Sequence, residues 1–555
     1  MVSNAKVAVS IHRASDAPGE PRVADRGGRA GAARRGLIPY TPPLVGWAAA
    51  AVALFAFGIY LRTMMPSTGF WDTGEAQTVP HTLSIFHPTG FPTYAMVGWL
   101  WSQLPIGSVA WRMNLLSAVS VALAAGLVVL ITGHLVEGQH RGRAAACAAI
   151  AGGAFAFAAE PLEIALRADV HALHVLIAAL IIWLLSVWAA AERAGARRAG
   201  WWLAGAALAF GIGMGNHPLT GLMAFGVAVW IVAVRPDMWR QWRLVLACGA
   251  LLAIGLLATY AYIPIRAAIH PSPPLFYAHP DTFDRFRYLV FAEQFHNLFD
   301  DFNQPFSAIG AKWVKAESVL QLQYWGPGWL LVAWGAATLA VRRLGAFLFL
   351  ALIVAGNVLY SMNFRDGDID RYYMTTVVAT APLLGVAVAS VASAVARAGA
   401  EITRRSASRF GRRRAATLAG GVLLLLAAAL PAASLVSLYR TRDQSQNYDA
   451  DRWVESVYAA LPRNAVVMSW WSYSTPLWYH RWVLGERPDV TIIDERNILD
   501  DGYGTLWLAV RAFYPERPVY IVPPEWDYRR IVTRYDPVTV KTYPGYTDLL
   551  RVETL

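Results

Sequence analysis

The chain has 555 residues, of which 56% are hydrophobic and 15% charged, with 23 tryptophans and a formal net charge of +11 at pH 7. Soluble domains are roughly a quarter charged, so this balance excludes an ordinary soluble globular protein and predicts a polytopic α-helical membrane protein. The positive charge does not point to nucleic acid, because the basic residues are scattered over short segments and form no single groove.

Residues 1–39 are rich in Gly, Ala, Arg and Ser, have no apolar period, and read as a disordered cytoplasmic tail. No apolar core begins before residue 43, so the first run is expected to be a retained span and not a cleavable signal peptide. Spans need ~20 apolar residues, because no backbone polar group can face lipid unpaired. Hydropathy marks about eleven of them: 43–61, 112–134, 144–160, 170–190, 201–215, 218–234, 244–264, 327–341, 346–361, 373–396 and 417–438. The stretch 40–438 is thus read as the membrane domain.

Lys and Arg close to spans stay on the cytoplasmic side. Seven basic residues precede the first span, and Arg141, Arg193, Arg235, Arg342 and seven arginines from Arg397 to Arg414 fall on the same side. In this topology the inner segments carry 24 basic and 7 acidic residues, the outer ones 24 and 30. The N-terminus is therefore placed in the cytoplasm of a multi-pass plasma-membrane protein. The loops 62–111, 161–169, 265–326 and 362–372, the turn near Asn216 and the segment 439–555 fall outside. Cys147 and Cys248 lie in spans, which leaves no disulfide framework, and no Cys/His metal cluster is visible.

The first outer loop contains FWDTGEAQTVPHTLSIFHPTGFPTY, Phe70 to Tyr94. Asp72 and Glu75 are three residues apart, so on a helix both carboxylates project to one side. Two acids held close in a partly desolvated site push their pKa values apart, which suits one of them to general-base work; a solvated loop or a helix cap is the plain alternative. His87, His171, His174 and His217 fall near the same outer level and suggest a polar cavity there. In the loop 265–326, FDRFRYLVFAEQFHNLF has helical apolar spacing and predicts a helix lying at the membrane interface. The cluster RDGDID, Arg365 to Asp370, reads as a solvated turn; its carboxylates leave a divalent cation open as an alternative, but no metal is expected. The tail 439–555 reads as an extracytoplasmic α/β domain. NAVVMSW and DVTIID are expected strands around a helical TPLWYHRWVLG, and TLWLAVRAFY followed by RPVYIVPP repeats the alternation. There is no glycine-rich phosphate fingerprint after the first strand, so no nucleotide is assigned.

The order of these parts resembles a known family. A first span, an acidic motif in the first outer loop, HPTGFP, an amphipathic TYAMVGWLWSQLP and then GSVAWRMNLLSA are similar to the membrane-integral type C glycosyltransferases, and more narrowly to the transmembrane protein 260-like group, domain-of-unknown-function family 2723. ALRADVHALH, GIGMGNHPLT, the stretch Tyr260 to Phe295, MNFRDGDIDRYYM and SYSTPLWYHRWVLGERPDVTIID extend the match over about Leu61 to Pro524. The resemblance implies transfer of a sugar, mannose in characterised relatives, from a polyprenyl-phosphate donor in the bilayer to a hydroxyl, namely Ser or Thr of an exported protein. It places the catalytic base on Asp72, with Glu75 as helper or alternative. Protein O-mannosyltransferases proper have the two acids adjacent, so the division of labour stays open here.

A phosphate leaving group calls for fixed positive charge, and Arg grips two oxygens. Arg167, Arg266 and Arg371 all lie at outer span ends; Arg266 and Arg371 are the favoured phosphate ligands among them, with interfacial anchoring as the plain alternative. His87 and His217, embedded in matching motifs, lead the histidines; His171, Asn216 and Tyr372 complete the expected donor-phosphate or sugar-binding set. Two other readings compete: a transporter or flippase of a lipid-linked solute, and a non-catalytic scaffold. The first predicts charged or broken helices at mid-membrane, whereas the acids here sit at outer ends.

Overall fold

The structure is a computed structural model that describes residues 40–269, 273–298, 306–365, 367–402, 409–498, 501–522, 536–538 and 549–552. The expected tail 1–39 lies outside the described residues. Pro43 opens the first helix at a position where a missing N–H costs nothing, giving α1, Pro43–Thr63. Two short helices follow, α2 (Asp72–Thr82) and α3 (Pro92–Ser102), and then α4 (Val109–Leu135), whose first turn is capped by the Ser108 hydroxyl accepting from Trp111 N. Next come α5 (Arg141–Ala156), α6 (Ala159–Ala165), α7 (Val170–Arg193), α8 (Gly200–Asn216), α9 (Ala224–Val234), α10 (Trp242–Tyr260) and α11 (Tyr262–Ala268).

The loop after α11 contributes α12 (Phe283–Val290), with Phe283 and Phe291 exposed at its two ends. Then follow α13 (Phe306–Tyr324), α14 (Pro327–Arg342), α15 (Leu344–Ser361), α16 (Met374–Ile402) and α17 (Arg409–Arg442). The chain is a multi-span helical membrane protein. Each apolar run marked in the sequence is helical, but the count of eleven is not reached by length and composition. Among the described residues seven helices are long and apolar enough to cross a membrane, or up to eight if the pair α5 and α6, bent by 66°, is one broken span. Helix α8 has 17 residues, α14 has 16, and Pro218–Val234 is likewise short. Helices α4, α7 and α16 are mostly buried in the bundle, whereas α10 and α17 face outward.

Beyond α17, α18 (Asp449–Ala460) leads into β1 (Val466–Ser469), α19 (Trp471–Trp482), β2 (Thr491–Asp494), α20 (Leu506–Phe513) and β3 (Val519–Val522). Strand β1 is central and pairs parallel with both β2 and β3, so β1 and β3 are wholly buried and read as unbroken apolar runs. Two strands outside the sequence expectation, β4 (Asp536–Val538) and β5 (Leu549–Arg551), extend the sheet antiparallel in the order β2-β1-β3-β5-β4. Helix α19 begins four residues before the expected helical stretch and lies directly on α2. A Cβ on Gly74 would meet the Thr475 backbone at 2.8 Å, so only glycine permits this approach.

Candidate active site

Sharp backbone reversals shape the segment between α1 and α4. Trp71 (φ 56°) precedes α2, Leu83 (φ 50°) ends it, and Gly90 (φ 85°) and Phe91 (φ 35°) turn the chain into α3. These turns bring HPTG back against the first turn of α2, which carries both Asp72 and Glu75. Glu75 is buried, and both of its oxygens are engaged by His87: Oε1 accepts from the backbone N at 2.9 Å, and Oε2 lies 2.5 Å from ring Nδ1. Asp72 is different, because its side chain keeps 36% exposure. Its Oδ2 accepts from Arg371 at 3.3 Å and its Oδ1 from the Trp471 indole at 2.9 Å.

Arg371 is the hub. Its guanidinium also reaches Asp169 Oδ2 at 3.1 Å and Asp368 Oδ2 at 2.7 Å, and its Nε is buried without a partner. Asp169 is the N-cap of α7, and its Oδ1 accepts from His171 N at 2.8 Å and faces ring Nδ1 at 2.9 Å. The ring of His171 lies 4.7 Å from that of His217 and 5.3 Å from Tyr372. His217 also faces Phe91, His174 and Tyr372. His174 is deeper, with its Nε2 2.8 Å from the Thr375 hydroxyl. Asn216 supports the cluster from behind, donating to Val170 O at 3.1 Å, with its Oδ1 buried and unpartnered.

The structure therefore brings Asp72, Glu75, His87, His171, His217, Arg371 and Tyr372 together. It does not bring Arg167 or Arg266 into ion-pair contact with them. Arg167 pairs with Glu163 at 3.1 Å, one helical turn away, and Arg266 donates to Leu83 O at 2.6 Å, bracing the loop before His87. Asp368, from the RDGDID segment expected to be a solvated turn, pairs with Arg371, while Asp366 lies outside the described residues. Sequence reasoning missed three participants. Asp169 stood within ALRADVHALH directly before a span and could have been found as its cap and carboxylate. Tyr94, buried with an unpartnered hydroxyl, reads as one more interface aromatic in sequence. Trp471 comes from a helix 399 positions away, for which no local signal exists.

Electrostatics separate the two acids. Burial alone would lift the Asp72 carboxyl, but the charges of Arg371 and His87 and the Trp471 hydrogen bond outweigh it and bring it down to about 2. Glu75 moves the other way: burial and the neighbouring Asp72 raise it, and His87 offsets this only in part. Burial would depress His87, but Glu75 beside it raises it above the ordinary histidine range. The result is an accessible Asp72 shifted down beside a Glu75 and a His87 that are both shifted up. Ligand atoms of Asp72, Glu75 and His87 lie within 4.8 Å of one another, which is close enough for a divalent cation. Those same atoms, however, are engaged by Arg371, by Trp471 and by each other.

Residues 72–242 match the family described as the protein O-mannosyl-transferase TMEM260 N-terminal domain. The chain is 23% identical over 480 residues to the mouse protein O-mannosyl-transferase TMEM260, covering 82% of this chain and 63% of the relative, so it spans somewhat under two thirds of that protein's length. Among solved structures, ArnT from Cupriavidus metallidurans matches in the apo state with a TM-score of 0.55 at 14% identity, over 92% of this chain and 98% of that one. The same protein bound to undecaprenyl phosphate matches with a TM-score of 0.54 at 12% identity, over 91% and 98%. Residues 72–242 thus match the TMEM260 N-terminal domain, and the chain shares the type C glycosyltransferase fold of the ArnT structures.

Proposed function

We propose that the protein is a membrane glycosyltransferase that moves a sugar, mannose by likeness to the O-mannosyl-transferase relative, from a polyprenyl-phosphate donor to a Ser or Thr hydroxyl of an exported protein. The observation that carries this reading is the contact of Asp72 with Arg371: an accessible carboxylate and a buried guanidinium with an unspent N–H meet at the outer level of the bundle. The undecaprenyl phosphate held by the ArnT structure of the same fold supports the donor class.

In this reading Asp72 is the general base. It takes the acceptor proton as the hydroxyl oxygen attacks the anomeric carbon from the face opposite the phosphate, which leaves with the bonding pair and inverts the centre. An Asp72 ion-paired to Arg371 is a weak base. The donor phosphodiester, with one charge and two free oxygens, competes for the guanidinium and gains a second charge and a third free oxygen as the sugar leaves, which draws Arg371 toward it and releases Asp72 from its strongest neutralising partner. The Trp471 indole holds Oδ1, so Oδ2 faces the acceptor. Glu75 and His87 fix the loop, and His171, His217 and Tyr372 line the place of the sugar. Arg371 neutralises the leaving phosphate, so no metal is assigned. The N-terminus is placed in the cytoplasm and the site on the outer face of the plasma membrane.

The test uses purified full chain in liposomes with polyprenyl-phosphate mannose and a Ser/Thr peptide, read by mass spectrometry. One added hexose per peptide is expected, and Asp72→Asn should lose at least about 10³-fold in rate with donor binding retained. Full activity in that variant would remove Asp72 as base. No transfer to peptide or to any exported protein, with loss of partner capture on deleting the chain from residue 439, would favour a scaffold.

A further inference from the structure

A cavity of about 870 Å³ lies between the outer loop after α11 and the C-terminal sheet, within the roughly 300–1,000 Å³ of small-ligand pockets. It is separate from the carboxylate cluster but adjoins it through one pair of rings. Trp471, which holds Asp72, lies 5.5 Å from Trp478, and Trp478 lines the cavity. The loop wall is tied to the same site, because Ile85, two residues before His87, pairs with Leu275 and Phe276.

The lining has two characters. Trp478, Trp482 and Phe276 offer apolar ring surface, and Trp482 stays 39% exposed. Asp494, Asn497 and Asp501 offer oxygen acceptors. Among the described lining residues there is no lysine or arginine, so a phosphate, sulfate or uronic acid would find no counter-charge. A strongly cationic ligand is not favoured either. Asp501 is already paired with His279 at 3.0 Å and Asp281 with Arg285 at 3.4 Å. Asp494 is 3% exposed; its Oδ1 accepts from Arg496 N, and its Oδ2 has no hydrogen-bond partner, the adjacent Ser474 hydroxyl being committed to Ser469 and Trp470. Asn497 Oδ1 is likewise buried and unpartnered. Asp494, Asn497 and Asp501 thus give this wall uncharged or already paired polar groups, which suit hydroxyls that donate and accept alike.

We infer that this cavity binds a neutral glycan. Alternating C–H faces and hydroxyls match aromatic rings on one side and acceptor oxygens on the other, with no charge to neutralise. Placed beside Asp72, it would hold sugar units already present on an acceptor, and so extends the transferase reading to acceptors that carry glycan. The cavity's geometry does not depend on the donor, so binding is measured without one.

The experiment titrates neutral tetrasaccharides of mannose, glucose and galactose into the full chain in lipid nanodiscs, where no maltoside detergent competes, and follows tryptophan fluorescence and calorimetric heat. At least one should bind in the millimolar range or tighter, a uronic-acid tetrasaccharide should not, and Trp482→Ala should weaken binding about tenfold, which is ~1.4 kcal/mol. Asp494→Asn, which keeps volume and folding, should weaken it severalfold. Absence of binding by every neutral tetrasaccharide, or binding indifferent to both variants, overturns the inference. Binding of a Ser/Thr peptide in their place, lost in Trp482→Ala, overturns it too and gives the cavity to the acceptor polypeptide. Peptide mannosylation by the wild type, assayed separately, decides the transferase reading whichever way the glycan titration falls.

Discussion

Arg371 meets Asp72 at 3.3 Å with the same Nη2 that holds Asp368 at 2.7 Å, while its other terminal nitrogen holds the buried Asp169 at 3.1 Å. The guanidinium thus has one arm fixed in the protein and one arm toward the exposed side of the site. Arg371→Lys keeps the charge and loses the fork. It is expected to raise the KM for donor at least tenfold and to lower kcat less. Arg371→Ala would leave Asp169 buried and uncompensated, a loss of ~3–5 kcal/mol, and should express poorly. Donor titrations on Arg371→Lys, with thermal denaturation of both variants, check this.

Glu75 and Asp72 share a helical turn but should respond differently to loss of charge. Both Glu75 oxygens are spent on His87, and the pair is buried. Glu75→Gln can still accept from the His87 backbone, so a fall in kcat of roughly ten- to a hundredfold is expected, against at least about 10³ for Asp72→Asn. An equal or larger loss at Glu75 would exchange the two roles.

Much of the membrane half is legible because lipid allows so few solutions: each apolar run had to be a helix, and each became one. The number that qualify as full spans was not legible, since α5 and α6 break at a bend and α8 and α14 stop short, and neither feature alters mean hydropathy. At the site, Asp72, Glu75, His87 and Arg371 were legible as polar residues at outer span ends. Trp471 was not, because its role exists only once α19 is packed on α2. Depth alone did not show which acceptors Arg167 and Arg266 would meet, here Glu163 and Leu83 O.

Docking of α19 on α2 rests on Gly74, where a Cβ would lie 2.6 Å from Gly69 O and 2.8 Å from Thr475. Gly74→Ala should push the helices apart, break the Trp471 to Asp72 hydrogen bond and cost at least about tenfold in kcat. The membrane bundle should keep its melting behaviour. Trp471→Phe removes the same hydrogen bond without moving the helix. If the contact is what matters, the two variants give similar kcat losses, and quenching of tryptophan fluorescence separates the helix shift from the lost bond.

Under the proposed function, metal independence is the expected outcome of how the carboxylates are spent. A cation at Asp72, Glu75 and His87 would have to displace Arg371 and Trp471 from Asp72 and part the Glu75 pair. Transfer is expected to survive exhaustive chelation with EDTA and to gain nothing from added Mn²⁺ or Mg²⁺. A loss restored by one ion would move the phosphate-neutralising role from Arg371 to that ion.

The C-terminal sheet should be a pH-sensitive part of the molecule, and the cause is Asp494. Burial raises its carboxyl from the ordinary 3.8 to about 7, against the opposing charge of Arg496. The folded state then binds this proton more tightly than the unfolded chain, so the stability it confers is complete below about pH 3.8 and falls as pH rises toward 7. His480 adds to the same trend. Burial depresses it, but its hydrogen bonds to Asp451 and Glu486 win and raise it, so its contribution is present below 6.5 and is lost as pH passes its folded value. Asp494→Asn mimics the neutral carboxyl and removes the first term. Relative to wild type it should melt several degrees higher at pH 8 and nearly the same at pH 4. A melting difference that does not change between those pH values would mean that Asp494 is ionised in the folded sheet, with the Arg496 charge outweighing its burial.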